Sequence, residues 1–237
     1  MNLLAFDTST DTMSIAVQRS AHGTAPAQIW QHTAPGGALT SAHLIPAIQN
    51  LMTQANLRFE QLDAIAFGRG PGSFTGLRTA CAVAQGLAFG AKVKVLPVDT
   101  LLAVAEEARF NQAPLLAHYP VMALLDARMD EMYASCYAFD SGHWTQIKDH
   151  ALLRPEDLVC DAHTTLAGNV FTVYGARFSA AMSPQVNALP TATAILRLAP
   201  KLLAAGGALP ADQALPLYVR DKVAKTTAER AAEKATL

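Results

Sequence analysis

The stretch Gly68-Arg69-Gly70-Pro71-Gly72-Ser73-Phe74-Thr75-Gly76-Leu77-Arg78 gathers the residue types that handle anions. It lies between an apolar run, Leu62 to Phe67, and an Ala-rich segment, Thr79 to Ala91. That order reads strand, glycine turn, helix. Gly68, Gly70 and Gly72 admit positive φ, Pro71 fixes one φ among them, and Ser73 or Thr75 can cap the helix. Such a turn presents backbone N–H groups at a helix N-terminus, where phosphates and other anions are held. The spacing is neither a P-loop nor a clean dinucleotide fingerprint, so a tight turn that binds nothing fits equally well. Asp7 ends an apolar strand beside Thr8 and Ser9 and suits a magnesium or phosphate site. Asp126 ends a second such strand and would face it across a cleft. Asp7, Ser9, Gly70, Gly72 and Asp126 together sketch a nucleotide site. The competing reading is that both aspartates stop strands and accept turn N–H groups.

Other chemistries find less support. His32, His43, His143, His150 and His163 are scattered, with no H-x-x-x-H or H-E-x-x-H, so no metal site is expected. Gly72-Ser73-Phe74-Thr75-Gly76 is not a G-x-S-x-G elbow, and no base pairs with Ser73. Arg78, Arg128 and Arg177 each follow a turn and could grip anions; solvated side chains are the default for each.

The helix that follows the glycine turn carries a second pattern. Gly76, Ala80, Ala84 and Ala88 recur every four residues and line one face, and Gly86 and Gly90 add small positions. A small face packs closely either on its own sheet or on a helix of another chain, and spacing does not choose between them.

The chain has 237 residues, 51% of them hydrophobic, enough for one large domain or two small ones. Lys+Arg 18 against Asp+Glu 19 leaves no basic surplus for tight nucleic-acid binding by this chain alone. Three separated cysteines, Cys81, Cys136 and Cys160, suggest a reducing compartment. The N-terminus turns acidic at Asp7, too soon for a signal peptide, and no apolar run is long enough for a membrane span. A soluble, cytoplasmic protein is expected.

These motifs need elements to position them. Asn2 to Phe6, Thr12 to Gln18 and Gln28 to Thr33 read as an antiparallel meander. Leu44, Ile48, Leu51, Met52 and Ala55 fall at helical spacing, with Thr40 or Ser41 as cap and Pro46 in the first turn or at a kink. Leu62 to Phe67 and Lys92 to Val98 are strands, and Asp99 or Thr100 caps a helix through about Arg109. The first half is therefore β-β-β-α-β-α-β-α. The second half opens the same way. Val121 to Leu125, Glu131 to Phe139 and Trp144 to Lys148 read as strands, followed by a short helix start at Pro155, a strand at Phe171 to Tyr174 and a helix over Thr193 to Ala205. The echo suggests a duplicated domain. Pro210 to Arg220 is extended and expected to fold back, and Lys222 to Leu237 is expected to be a mobile tail or marginal helix.

Asp7-Thr8-Ser9-Thr10, the eleven-residue glycine stretch, Leu125-Asp126-Ala127-Arg128-Met129-Asp130-Glu131-Met132-Tyr133 and Leu217-Tyr218-Val219-Arg220 occur in an order that resembles the TsaB family, formerly called YeaZ. The resemblance covers nearly the whole chain. It implies an α/β fold of the actin/Hsp70/sugar-kinase (ASKHA) type, with two related ribonuclease-H-like domains built on mixed sheets. The expected division is 1–110, carrying partner-binding helices, 111–220, a smaller second domain, and 221–237, the tail. The resemblance further implies a non-catalytic dimerisation subunit, with no cofactor and no metal of its own. Its partner would be TsaD in a heterodimer, joined by TsaE in a ternary complex, and it would meet tRNA only through that complex. In that machinery TsaC forms threonylcarbamoyl-adenylate, and TsaD transfers the group to the adenosine after the anticodon, position 37, of tRNAs reading codons that begin with A.

TsaD-type proteins hold a metal through an H-x-x-x-H, whereas Ser41 to Ile48 here contains the single His43. By position, the family's interface helices are Leu44 to Ala55 and Gly76 to Gly90, which makes Leu44, Ile48, Leu51, Met52, Gly76, Ala80 and Ala84 the expected partner-facing residues. A homodimer through the same helices is expected in the partner's absence. The alternative is an ATP-binding enzyme of the sugar-kinase or ATPase type using Asp7 and Asp126. A peptidase reading finds no metal or nucleophile constellation.

Overall fold

The computed structural model describes residues 1–20, 26–178 and 183–220; the expected tail after Arg220 lies outside them. In chain order the main elements are β1 (Leu3–Asp7), β2 (Thr12–Arg19), β3 (Gln28–Pro35), α1 (Thr40–Gln54), β4 (Ala64–Gly70), α2 (Phe74–Ala91), β5 (Lys94–Asp99) and α3 (Thr100–Gln112). They continue with β6 (His118–Arg128), β7 (Glu131–Asp140), β8 (His143–Leu153), β9 (Thr165–Gly168), α4 (Phe171–Tyr174), β10 (Gln185–Asn187) and α5 (Ala192–Ala204).

The first sheet runs β3-β2-β1-β4-β5 and the second β8-β7-β6-β9-β10. In both, the meander pairs antiparallel and the later strands join parallel, so the second sheet repeats the first. This is the duplicated mixed-sheet, ribonuclease-H-like architecture that the resemblance implied. Period-2 alternation sorts the side chains. Leu4, Phe6, Ile65 and Phe67 meet α1 and α2, whereas Leu3, Ala5, Ala64 and Ala66 turn to the other face and meet α5. Fully burying a Leu or Phe contributes about 1.5–3 kcal/mol, so β1 and β4 anchor the first lobe.

The last helix of each half crosses over. α3 packs on β6 of the second sheet through Leu101, Val104, Ala105 and Ala108, and α5 packs on β1, β2 and β4 of the first. Ala214 likewise returns to the first core. The halves are further tied at Asp99, whose Oδ2 takes the Tyr137 hydroxyl at 2.8 Å and lies 2.6 Å from His150 Nε2.

Several expectations change. Phe171 to Tyr174 is one helical turn rather than a strand, because Val170 and Tyr174 reach the same core cluster one turn apart. A short apolar run does not by itself distinguish the two forms. The strands of that region are β9 and β10, of four and three residues; β9 is held by pairing with β6, and β10 by pairing with β9. Neither Thr40 nor Ser41 caps α1: a 3-10 turn over Gly37–Leu39 runs straight into it, and Pro46 sits inside the helix. Ser73 caps α2 and Asp99 caps α3. None of the described helices is long and apolar enough to cross a membrane.

Candidate docking face and a closed cleft

Asp7 is fully buried and faces its own lobe. Its Oδ1 accepts from Ser9 N–H at 2.8 Å and Ser9 Oγ–H at 2.6 Å, and its Oδ2 takes the Thr100 hydroxyl at 3.4 Å. A Cβ on Gly68 would stand 1.7 Å from that Oδ2, so glycine is what lets the carboxyl tuck against β4. Burial pushes the Asp7 carboxyl up to about 6, and the bonds from Ser9 and Thr100 pull it only partly back.

The glycine turn is folded onto protein groups rather than held open. Gly70 N–H donates to Thr100 Oγ1 at 3.0 Å, Ser73 N–H to Ser9 O at 2.7 Å and Gly76 N–H to Ser73 Oγ at 3.5 Å. Gly70 has φ +119°, and a side chain there would meet Leu217 O. These three donors of the turn are therefore committed to protein acceptors.

Asp126 is committed as well. Its Oδ1 accepts from Arg128 N–H at 2.8 Å and the Tyr174 hydroxyl at 3.0 Å, and its Oδ2 lies 3.1 Å from Arg128 Nη1. Arg128 also reaches across to Asp11 at 2.5 Å. Residues 214–220 then strap the cleft. Ala214 O accepts from Gln85, Leu217 N–H donates to Arg69 O at 2.7 Å, the Tyr218 hydroxyl accepts from Arg78, and Arg220 pairs with Glu131. Tyr218 stacks on Phe74 at 5.5 Å, with the Arg78 guanidinium 3.8 Å from the centre of that ring.

What remains is a cleft of about 280 Å³, lined by Ser9, Gly72 and Asp126 among the expected residues. Asp7 and Gly70 do not line it, which corrects their assignment to a nucleotide cleft. Asp11, Tyr218 and Arg220 are site residues that periodicity did not reveal; Leu217-Tyr218-Val219-Arg220 stood out only through the resemblance. Each of the three arginines that follow turns has a protein partner, Arg177 pairing with Asp130 and Glu156. Among the described residues no group of three or more His, Cys, Asp or Glu is placed to hold a metal.

The seven residues expected to face a partner all turn inward. Leu44, Ile48, Ala80 and Ala84 are fully buried, Leu51 and Met52 nearly so, and a Cβ on Gly76 would stand 1.9 Å from Thr8 O. These side chains form the seat of α1 and α2 on the first sheet, so a docking face built from them is corrected. The small stripe of α2 lets the helix approach its own sheet. The opposite sides of the same helices are open. On α1 they carry Ala42, Ile45, Pro46 and Gln49, and on α2 Thr75, Ala82, Gly86, Phe89 and Gly90. Phe89 is 82% exposed, and a Cβ on Gly86 or Gly90 would meet nothing within 4 Å. α1 contains no Asp, Glu, Lys or Arg, and α2 contains only Arg78. Solvent-facing sides of helices ordinarily carry charge, and this charge poverty is the sequence signal that marks the outer face.

Residues 28–236 match the family model described as TsaD: tRNA N6-adenosine threonylcarbamoyltransferase. The tRNA threonylcarbamoyladenosine biosynthesis protein TsaB of Escherichia coli (strain K12) is 32% identical, over 94% of this chain and 96% of that protein. TsaB of Haemophilus influenzae is 32% identical, over 94% and 95%. The solved structure of YeaZ from Pseudomonas aeruginosa superposes with a TM-score of 0.80 at 37% identity, over 92% of this chain and 99% of that one. The transferase of Ligilactobacillus salivarius is 31% identical over 52% of this chain, which matches only 38% of its length. With full-length likeness to the first group and partial likeness to the transferase, the chain belongs to the TsaB (YeaZ) family.

Proposed function

We propose that this chain is the non-catalytic docking subunit of the machinery that makes threonylcarbamoyladenosine in tRNA. It pairs with a TsaD-type transferase through the outer faces of α1 and α2, with TsaE joining the pair and tRNA reached through the complex. In the transferase's absence the same face pairs two copies of this chain. The observation that carries the reading is the pair of adjacent helices, 33 residues with one charge between them, whose outer sides are small or apolar and open. Small residues let partner helices come close, and Ile45 and Phe89 supply apolar area to bury. The names of its full-length relatives support the pathway. An ATP-binding enzyme of the sugar-kinase type would need Asp7 turned to the cleft, whereas its carboxyl is buried and bonded to Ser9 and Thr100 within its own lobe.

The test is a reconstitution of tRNA modification with TsaD, TsaE and TsaC, with this chain omitted and added back. Modification should require the chain, and the chain alone should modify nothing. Ala82→Glu and Gly86→Glu, both on the open face, should abolish co-purification with TsaD and leave the chain folded, with cooperative melting close to the parent's for Ala82→Glu and no lower for Gly86→Glu. Turnover by the purified chain, or undiminished complex formation by both variants, refutes the reading.

A further inference from the structure

A second cavity of about 470 Å³ opens between α3, the β7–β8 hairpin and α5. It is lined by different residues from the strapped cleft and from the docking face. Small-molecule sites usually occupy about 300–1,000 Å³. Its floor is aliphatic, from Leu102, Leu198 and Leu202, and its wall is aromatic, from Phe139 and Trp144 with ring centres 5.2 Å apart.

The charges around it do not cancel locally. Buried Glu106 takes both Arg109 and Arg197 at 3.0 Å and the Trp144 indole N–H at 3.0 Å, and Arg197 also reaches Glu107 at 2.5 Å. Two carboxylates are thus matched by two guanidiniums. Lys201 is left over: among the described residues no acceptor meets its ammonium. It reaches over the hairpin tip, where a Cβ on Gly142 would stand 2.6 Å from Nζ. The cavity therefore offers a largely apolar, aromatic-edged pocket with one uncommitted positive charge at its edge.

We infer that this cavity binds a small monoanion with an apolar aromatic body, of the aryl carboxylate class, its ring against Trp144 and the leucines and its carboxylate on Lys201. The match is one of size, apolar lining and charge, and it is independent of the docking reading.

The test uses the whole chain, with 2-naphthoate and its neutral counterpart 2-naphthamide as calorimetric probes. Naphthoate should bind one to one and the amide about fivefold more weakly, the scale of one partly solvated ion pair. Lys201→Gln should bring naphthoate down to the level of the amide and leave the amide unchanged. The indole N–H resonance of Trp144, identified as the one retained in Trp30→Phe, should shift with both probes. No naphthoate binding at millimolar concentration, equal binding of acid and amide, no effect of Lys201→Gln, or an unmoved Trp144 resonance would each overturn the site. None of these outcomes touches complex formation through α1 and α2.

Discussion

Replacing Asp7 by Asn should stabilise the protein at neutral pH and do little at pH 4. The carboxyl is fully buried, and burial holds its pKa at about 6 against an ordinary 3.8. Below 3.8 the group is protonated in both folded and unfolded chains, and the fold carries no penalty. Between 3.8 and 6 the unfolded chain ionises while the folded chain keeps its proton, so stability falls as pH rises. Above 6 both are ionised and the whole desolvation cost is present. The gap from 3.8 to about 6, at about 1.36 kcal/mol per pH unit, is about 3 kcal/mol. Asn keeps an acceptor for Ser9 N–H and Oγ–H and never ionises, so it removes this cost. For a chain of this size, 1 kcal/mol corresponds to about 2–4 °C in Tm, which puts the gain at about 6–12 °C at pH 7.5. Paired thermal melts of the two chains from pH 4 to pH 8 measure it. A variant no more stable than the parent at pH 7.5, or one whose gain is the same at pH 4, would refute the reasoning. Because Asp7 does not line the cleft, the variant should also support tRNA modification in the reconstituted system, whereas a magnesium-binding Asp7 would lose it.

Glycines on the two sides of α2 should respond oppositely. Gly76→Ala drives a Cβ into Thr8 O and should lower Tm by several degrees in a thermal melt, whereas Gly86→Ala meets open space and should raise stability by up to about 1 kcal/mol through helix propensity. Ala80→Trp overfills the core beneath α2 and should cost at least about 1–3 kcal/mol, read by urea denaturation; a folded Ala80→Trp chain with parental stability would contradict the inward assignment. Asp11→Ala removes a cross-lobe bridge to Arg128 whose partners are 80% and 66% exposed at the side chain, so the stability change, read by urea denaturation, should stay within about 1 kcal/mol. Calorimetry with ATP and magnesium should register no saturable heat; tight binding lost in Asp126→Ala would restore the enzyme reading.

Much of this molecule was legible along the chain. The strand–glycine turn–helix order, the Ser73 and Asp99 caps and the opening meander of each half all rest on signals that neighbouring residues carry by themselves, such as period, turn chemistry and caps. The four-residue β9 and three-residue β10 carry too few positions for a period to register; β9 exists because β6 offers it a pairing edge, and β10 because β9 does. The strap from Ala214 to Arg220 meets Arg69, Arg78, Gln85 and Glu131, at separations no local pattern encodes. Above all, α2 is small on two sides, with Gly76, Ala80, Ala84 and Ala88 on one and Ala82, Gly86 and Gly90 on the other. Composition and spacing identified α2 as a helix suited to close contact. Which side contacts what was decided in three dimensions, where the Thr8 carbonyl, β1 and β4 occupy the first side and leave the second bare.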